Sequence, residues 1–260
     1  MSNKALFKGV DVSYANGKID WDKASRNVDF AILKICNGYQ KQQNVVDKQF
    51  GNNIAGCEKY GVPAGVYVYA YFTTVKKARE AAQFAIKLLN GRKLEYPIFL
   101  DLEEDCIRRL GTKMILNFAK AFCEEVEAAG YQYGTYANKY WFSNILTDSW
   151  YDKYIKWIAQ YNSKCTYKGT LDIWQYTDTG SVPGINGNVD MNSCYTSFVK
   201  GDVNNDGAVT AEDARIILRV SAQLETFDST QAEKNADVNG DGNIDAADGR
   251  DALRISAGVE

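Results

Sequence analysis

Two acidic twelve-residue stretches near the C-terminus, which are near-copies of each other, constrain this chain more than any other feature. They read DVNNDGAVTAED and DVNGDGNIDAAD and occupy residues 202–213 and 237–248. Each has oxygen-bearing side chains at positions 1, 3, 5, 9 and 12, and glycine at position 6. Ca²⁺ takes 6–8 oxygen ligands in proteins, and that glycine allows the loop to turn around the ion. Because chance rarely repeats an ordered ligand set, the repeat predicts two calcium sites.

The predicted ligands follow from the loop positions, and a helix is expected after each loop, over residues 211–222 and 246–257. Both loops depart from the usual EF-hand, since position 12 is aspartate and no clear helix enters the first loop. We expect the two ions to be structural, because so small a module has little core without them. The ligands are Asp202, Asn204, Asp206, Asp213 and the Ala208 carbonyl in the first loop, and Asp237, Asn239, Asp241, Asp248 and the Asn243 carbonyl in the second, with Thr210 and Asp245 as secondary candidates.

Charge and length divide the chain into two predicted domains, residues 1–199 and 200–260. The first carries 24 basic and 20 acidic residues, and the second carries 6 and 13. A chain of 260 residues is long enough for one large and one small domain. No stretch is apolar enough for a membrane span, and no signal-peptide pattern follows Met1, so we expect the mature form of a secreted protein.

The residue types that are absent or scattered also narrow the chemistry. The chain has no histidine, which excludes His-based triads, bases and metal sites. Its six cysteines show no zinc-binding spacing. Because Cys165 and Cys194 flank the last predicted strands, we expect a disulfide between them, whereas Cys36 and Cys123 are expected to be small buried apolar residues.

The first two hundred residues alternate short apolar strands with amphipathic helices, which is typical of βα units. Three helices are clear, over residues 45–60, 75–89 and 113–129, and a shorter one is predicted over 140–146. After residue 154 the connections are too short for full helices, so the barrel is expected to be irregular in its last third. The eight predicted strands, the number of a closed barrel, cover residues 7–13, 30–37, 65–72, 97–103, 133–138, 155–161, 172–176 and 189–192.

Four carboxylates fall at predicted strand ends: Asp11, Asp101, Glu103 and Asp190. In a parallel barrel these ends meet at one face, where active sites form. Asp101 and Glu103 are two residues apart, so their side chains should point the same way, about 6.6 Å apart along the strand. Two such acids suit glycoside hydrolysis. Glu104 should point outward by the same alternation.

Aromatic residues also gather at strand ends, where their flat rings could stack on sugar rings. Because aromatic side chains equally well fill a core, only Tyr71, Tyr136 and Trp174 are retained as substrate-binding candidates.

Three segments occur in a characteristic order: GVDVSYANGKIDWDK, FLDLEED and WQYTDTGSVPGINGNVDMN. Over residues 6–198 the chain thereby resembles glycoside hydrolase family 25, the Chalaropsis-type lysozymes. The resemblance implies an irregular (β/α)5(β)3 TIM-like barrel and an N-acetylmuramidase that cleaves the β-1,4 bond from N-acetylmuramic acid to N-acetylglucosamine in peptidoglycan. It implies Glu103 as general acid/base, Asp101 on the acetamido group, and Asp11 and Asp190 completing an acidic floor, with net retention and no catalytic cofactor.

The barrel has two alternative interpretations. A family 18 chitinase would need acids where Tyr96 and Phe99 stand, so it is rejected. The alternative that stays open is an inactive cell-wall-binding module, against which the presence of all four acids argues.

The duplicated loop–helix pattern over residues 201–260 resembles a type I dockerin, a small all-α module. That resemblance implies a cohesin partner on a cellulosome-type scaffold and an extracellular location; a free calcium sensor is the alternative. The usual Ser-Thr contact pair is replaced by Ala211-Glu212 and Ala246-Ala247, so specificity cannot be transferred. We expect no nucleic-acid or membrane partner and a monomeric catalytic domain. Candidate cohesin contacts are Arg215, Arg219, Arg250 and Arg254.

Overall fold

A computed structural model describes residues 4–259 of the chain. The outer limits of the two predicted domains, residues 1 and 260, lie outside the described residues. One compact unit spans Phe7–Cys194 and a second contains Tyr195–Glu260. The boundary predicted between residues 199 and 200 stays a prediction.

The first unit is a closed eight-stranded barrel, as predicted. Its sheet order is β1-β9-β8-β7-β6-β5-β4-β2-β3, and a further pairing of β1 with β2 closes the ring. The short strand β3 lies outside the ring as a hairpin partner of β2. The strands are β1 (Phe7–Val12), β2 (Phe30–Gln40), β3 (Gln43–Val46), β4 (Ala64–Ala70), β5 (Ile98–Asp101), β6 (Tyr133–Asn138), β7 (Ile155–Ala159), β8 (Ile173–Gly180) and β9 (Val189–Cys194).

The last strand runs against its neighbours. The barrel pairs from β1 through β8 are parallel, whereas β9 is antiparallel to both β8 and β1. The expectation that every strand brings its C-terminal end to the active-site face is therefore wrong for β9. Asp190 reaches that face from the start of its strand, where it pairs with Asp11.

Helices follow the first strands of the barrel, and no α-helix follows β7 or β8 among the described residues, which gives the predicted (β/α)5(β)3 pattern. Helix α3 has the bounds expected from its apolar spacing. Its first turn is capped by the Thr74 hydroxyl, and Asn90 ends it in a left-handed conformation. The helices of this unit are α1 (Trp21–Ala24), α2 (Phe50–Tyr60), α3 (Val75–Leu89), α4 (Asp105–Arg108), α5 (Thr112–Ala128) and α6 (Lys139–Asn144).

The helix predicted from residue 45 begins only at Phe50. Residues 43–46 form β3 instead, because Lys41 and Gln42 take positive φ angles that turn the chain back along β2. β2 thereby continues past Gly38, the last residue that pairs with β4.

Aromatic side chains fill the barrel interior beneath those ends. The Trp157 indole, which is 1% exposed, packs against the rings of Tyr67, Phe99 and Tyr136 with centroid distances of 5.9, 5.2 and 4.4 Å. A second apolar layer separates the barrel from its helices, where the rings of Phe72 and Phe118 meet edge to face. The interior is thus a packed core, and any site must lie on top of it.

The second unit contains three described helices around a small core. The helix α8, which was not predicted, immediately precedes the second acidic loop and enters it. No helix in residues 4–259 combines the length and apolarity needed to cross a bilayer. The helices are α7 (Ala211–Ser221), α8 (Thr230–Ala236) and α9 (Ala246–Ser256), and the core consists of Val203, Ala214, Ile217, Ala232, Ala236 and Ala252.

Candidate active site

Strand register brings the predicted carboxylates to one rim of the barrel. Asp11 is paired with Asp190 across β1 and β9. Asp101, the last residue of β5, is paired with Tyr69 on β4 and Tyr136 on β6. Side chains of paired residues point to the same face of a sheet. These groups therefore face one another above the aromatic side chains that fill the barrel interior.

Asp11 is held by two amides. It is 5% exposed, and its Oδ2 accepts hydrogen bonds from Gln175 Nε2 at 2.9 Å and from Asn192 Nδ2 at 2.8 Å. Asn192 is in turn fixed by the Trp157 indole N–H at 2.7 Å. Burial, followed by the charge of Asp190, raises the pKa of Asp11 to about 8, although the two amides oppose the shift.

Asp101 is the most isolated of the four acids. It is 3% exposed, and its Oδ1 is buried without a hydrogen-bond partner among the described residues. Burial and then the charge of Glu103 raise the pKa of Asp101 well above its usual range, and the ammonium of Lys34 opposes this. A buried acceptor without a donor is costly, which is typical of a site that awaits a ligand.

Glu103 and Asp190 are both partly exposed at the rim. Burial, followed by the charges of Asp178 and Glu103, raises the pKa of Asp190 to about 6. β5 ends at Asp101, two residues earlier than predicted, so Glu103 lies on the connection that leads into α4. Burial and then the charge of Glu103 raise the pKa of the Tyr69 phenol.

Glu104 does not point outward, so that prediction is wrong. The Tyr69 hydroxyl donates a hydrogen bond to Glu104 Oε1 at 2.9 Å. Alternation holds only while the chain remains in a strand, and here the strand has already ended. The Tyr69 hydroxyl thereby holds Glu104 at the rim.

The three predicted substrate-binding aromatics differ in exposure. Tyr71 is partly exposed, and its ring centroid lies 5.0 Å from that of Tyr69. Tyr136 and Trp174 are only 7% and 8% exposed, and they donate hydrogen bonds to Gln175 Oε1 and to the Gln160 carbonyl, respectively. They therefore offer little ring surface before a ligand binds.

Two further residues belong to this rim: Tyr161, a strand-end aromatic that was not retained as a candidate, and Lys34, which was missed. Tyr161 is 52% exposed and donates to Gln175 Oε1 at 3.1 Å, beside the amide that holds Asp11. Lys34 lies on β2, and its Nζ stands 4.4 Å from the Tyr69 ring centroid. A lysine between apolar residues of a buried strand was the sequence signal that could have revealed it.

The first and last aspartates of each acidic loop accept main-chain hydrogen bonds from the same loop. In the first loop Asp202 and Asp213 are 1% and 0% exposed. Asp213 Oδ1 accepts from the amides of Val203 and Asn204, and Asp202 Oδ2 accepts from the amide of Gly207 at 2.9 Å. The second loop repeats the arrangement, with Asp248 at 0% exposure.

The donor set of both loops is entirely oxygen, which fits a hard cation such as Ca²⁺. Within residues 4–259 no three acidic, cysteine or histidine side chains could hold a metal by themselves. A bound Ca²⁺ would therefore need the asparagine and main-chain oxygens of the loops as well. Thr210 and Asp245 cap the exit helices through hydrogen bonds from the amides of Glu212 and Ala247.

The four arginines proposed as partner contacts lie on the exit helices. Arg215 and Arg219 form ion pairs with Glu225, and Arg250 pairs with Asp251. Arg215 also pairs with Glu212. The exposed fractions of the three arginine side chains, 45–64%, leave their outer faces open.

A family model, "Glycosyl hydrolases family 25", matches residues 10–185. The chain belongs to this family. A second model, "Dockerin type I domain", matches residues 200–254. The chain therefore combines a family 25 domain with a type I dockerin, a class of domain known to bind calcium.

The proteins that this chain is similar to include a lysozyme and an autolysin. Lysozyme M1 of Streptomyces globisporus is 27% identical over 202 residues, which cover 71% of this chain and 66% of the relative. The autolysin LytC of Streptococcus pneumoniae, solved with a synthetic peptidoglycan ligand, is 26% identical with a TM-score of 0.65. That match covers 73% of this chain and 46% of the autolysin, so the chain spans about half of that protein.

A family 25 glycosyl hydrolase from Bacillus anthracis is 24% identical to this chain and has a similar fold. The TM-score is 0.64, and the match covers 76% of this chain and 92% of that one.

The family 25 domain lacks the predicted disulfide between Cys165 and Cys194, both of which are thiols. Cys194 ends β9 beside Tyr96, at the barrel end where the parallel strands begin. Cys165 follows β7 next to Thr166, which binds Gln160 near the opposite end. The two thiols are at different ends of the barrel. Cys36 and Cys123 are buried, as expected.

Proposed function

We propose that the family 25 domain is an N-acetylmuramidase that hydrolyses the β-1,4 bond from N-acetylmuramic acid to N-acetylglucosamine in peptidoglycan. The observation that carries this proposal is the contrast between Asp101 and Glu103. Asp101 presents a buried oxygen without a donor, and Glu103, two residues later, is partly exposed. One acid can thus bind a substrate N–H while the other exchanges protons with the bond being broken.

The mechanism needs no cofactor beyond these side chains. Glu103 gives its proton to the glycosidic oxygen as that bond breaks, and the acetamido carbonyl oxygen of the substrate attacks C1. Asp101 accepts the acetamido N–H and stabilises the positive charge that develops on the resulting oxazolinium ion. Glu103 then removes a proton from water, which attacks C1 and breaks the C1–O bond of the oxazolinium ring, so that the acetamido group is restored and the configuration is retained.

Asp11 and Asp190 shape the floor rather than transfer protons in this scheme. Asp11 orders Gln175 and Asn192, and Asp190, with its pKa raised to about 6, lies across from it. Tyr71 and Tyr161 offer exposed ring surface for sugar stacking, while Tyr136 and Trp174 line the wall beneath.

The dockerin is proposed to bind two Ca²⁺ ions and to anchor the enzyme through a cohesin on a cellulosome-type scaffold outside the cell. The two loops and their exit helices are related by the internal repeat, and this supports a docking role for the exposed arginines of α7 and α9. Pull-down with cohesin modules in Ca²⁺ and in EGTA tests this. Binding that is absent in both conditions would favour a free calcium sensor.

The activity is tested by mass spectrometry of digested peptidoglycan whose new reducing ends are labelled with borohydride. Reduced N-acetylmuramic acid ends are the expected result. Reduced N-acetylglucosamine ends would indicate a glucosaminidase, and no new ends would favour the inactive wall-binding module.

Two glutamate substitutions, one at the proposed acid/base and one on the surface, form a matched pair. Glu103→Gln should lower the rate of end formation by about 10²–10⁴-fold, the usual contribution of such a group. Glu58→Gln, on the exposed surface of α2, should leave it unchanged. A covalent glycosyl ester trapped on Asp101 would contradict participation by the acetamido group.

A further inference from the structure

Lys34 is a cation placed among the acids of the barrel rim. It lies on the inward face of β2, in register with Tyr67 of β4. Its Nζ stands 5.7 Å from the Tyr67 ring centroid and 4.4 Å from that of Tyr69. β4 lies between β2 and β5 in the sheet, so the lysine reaches across it toward Asp101.

The ammonium is held there by neighbours of the right kind. The faces of two tyrosine rings attract a cation, and the Tyr69 hydroxyl is anchored on Glu104. Burial lowers the pKa of Lys34, and the charge of Asp101 is the strongest influence in the opposite direction, ahead of Asp47 and Glu103. Lys34 and Asp101 thus stabilise each other's charged form.

Asp101 has little other support as an anion. Asp11 is fixed by two amide donors, but Asp101 Oδ1 has no hydrogen-bond donor in the described chain. The other titratable groups that are electrostatically linked to Asp101 are acids and phenols. These groups are Asp11 on β1, Tyr67, Tyr69 and Tyr71 on and after β4, Glu103 and Glu104 after β5, and Tyr136 on β6.

We propose that Lys34 is a positioning residue whose ammonium favours the carboxylate form of the Asp101 side chain against the effect of burial. It touches no reacting atom and acts through Asp101. The proposal rests on the proposed function, in which Asp101 must be negative to stabilise an oxazolinium charge. A neutral acid could still bind the acetamido group, but it would lose most of that electrostatic stabilisation.

The test compares Lys34→Met and Lys34→Gln with Lys34→Arg, which retains the charge. We expect the acidic limb of the kcat/KM profile on soluble peptidoglycan fragments to move up by about 1–3 pH units in the two neutral variants. Lys34→Arg should stay close to the parent. Lys156→Met is the control, because Lys156 is a buried barrel lysine that pairs with Asp152 on the outside of the barrel.

A direct titration separates this proposal from the proposed function. The carboxyl carbon of Asp101, assigned by its loss in Asp101→Asn, is followed by ¹³C NMR across the same pH range. A higher pKa of Asp101 in the neutral Lys34 variants supports the inference, and an unchanged pKa overturns it. If Asp101→Asn remained fully active, the role proposed for Asp101 would be wrong, while the NMR comparison would still decide what Lys34 does.

Discussion

The two units of this protein bury carboxylates for opposite reasons. In the barrel, Asp11 and Asp101 lie over an aromatic interior, and burial raises the pKa of both. In the dockerin, Asp213 and Asp248 are fully buried but accept main-chain amides of their own loops. The first pair is costly to ionise, whereas the second organises the chain around it.

The size of each core explains the difference. The barrel has a continuous core that includes large side chains such as Phe72 and Phe118. The burial of this apolar surface offsets the cost of burying a few carboxyl groups. The dockerin core consists of two branched aliphatic residues and mainly alanines. A unit so small needs a further source of stability, and the acidic loops are the part of it that can supply one.

Removal of calcium should therefore produce the largest difference in stability between the two units. At a Ca²⁺ concentration of 100–1,000 times Kd, each ion contributes about 2.7–4.1 kcal/mol. With EGTA we expect the dockerin helices to unfold while the barrel keeps its melting temperature. Circular dichroism and ¹H–¹⁵N NMR of the full chain measure both.

Single substitutions give the matched comparison within the dockerin. Asp213→Asn should reproduce part of the EGTA effect, and Asp228→Asn, on the exposed α7–α8 connection, should not. A dockerin that kept its NMR dispersion in EGTA would break the comparison, because its core alone would then be sufficient.

Much of the fold follows from the sequence. Apolar periodicity predicts α3 and the strands of the ring, since these patterns are repeated over many residues. The hairpin β2–β3 and the short helix α8 were missed. The first depends on two non-glycine residues with positive φ, Lys41 and Gln42, and the second has only seven residues, so neither leaves a periodic signal.

The site is harder to predict from the sequence, because it depends on the register between neighbouring strands. The position of Asp101 at a strand end was visible, but the direction of Glu104 was not, since it depends on where the strand stops. The closeness of Lys34 to Asp101 arises from a register across β4. The disulfide prediction failed because nearness to strands in sequence does not say at which barrel end a thiol lies.

The stability of the barrel should depend on pH because of its buried acids, and we expect this effect to be smaller than that of calcium removal. Asp11 has a pKa of about 8 when folded and 3.8 as its ordinary value. Between those values the folded state binds more protons than the unfolded state, so the free energy of unfolding falls as pH rises from about 4 to 8. Asp11→Asn removes this penalty and should stabilise the barrel at pH 7 by up to about 4 kcal/mol, while activity falls.

Urea unfolding of the barrel at pH 4 and pH 7 measures this effect. The gain from Asp11→Asn should fall below about 1 kcal/mol at pH 4, where the folded acid is protonated and the unfolded acid is about half protonated. Asp22→Asn, at an exposed pair with Arg26, should change stability by less than about 1 kcal/mol at either pH. A destabilised Asp11→Asn barrel at pH 7 would mean that its hydrogen bonds outweigh its burial.

The smallest expected effect compares one chemical change in both units. Thr74 caps α3 in the barrel and Ser229 caps α8 in the dockerin, each by accepting a main-chain amide. Replacement of either by alanine should cost about 1 kcal/mol. The same cost should lower the melting temperature by about 2–4 °C in the barrel but about 4–8 °C in the dockerin, because a smaller unit has a smaller entropy of unfolding. Equal shifts in calorimetry with saturating Ca²⁺ would indicate that the two units unfold as one.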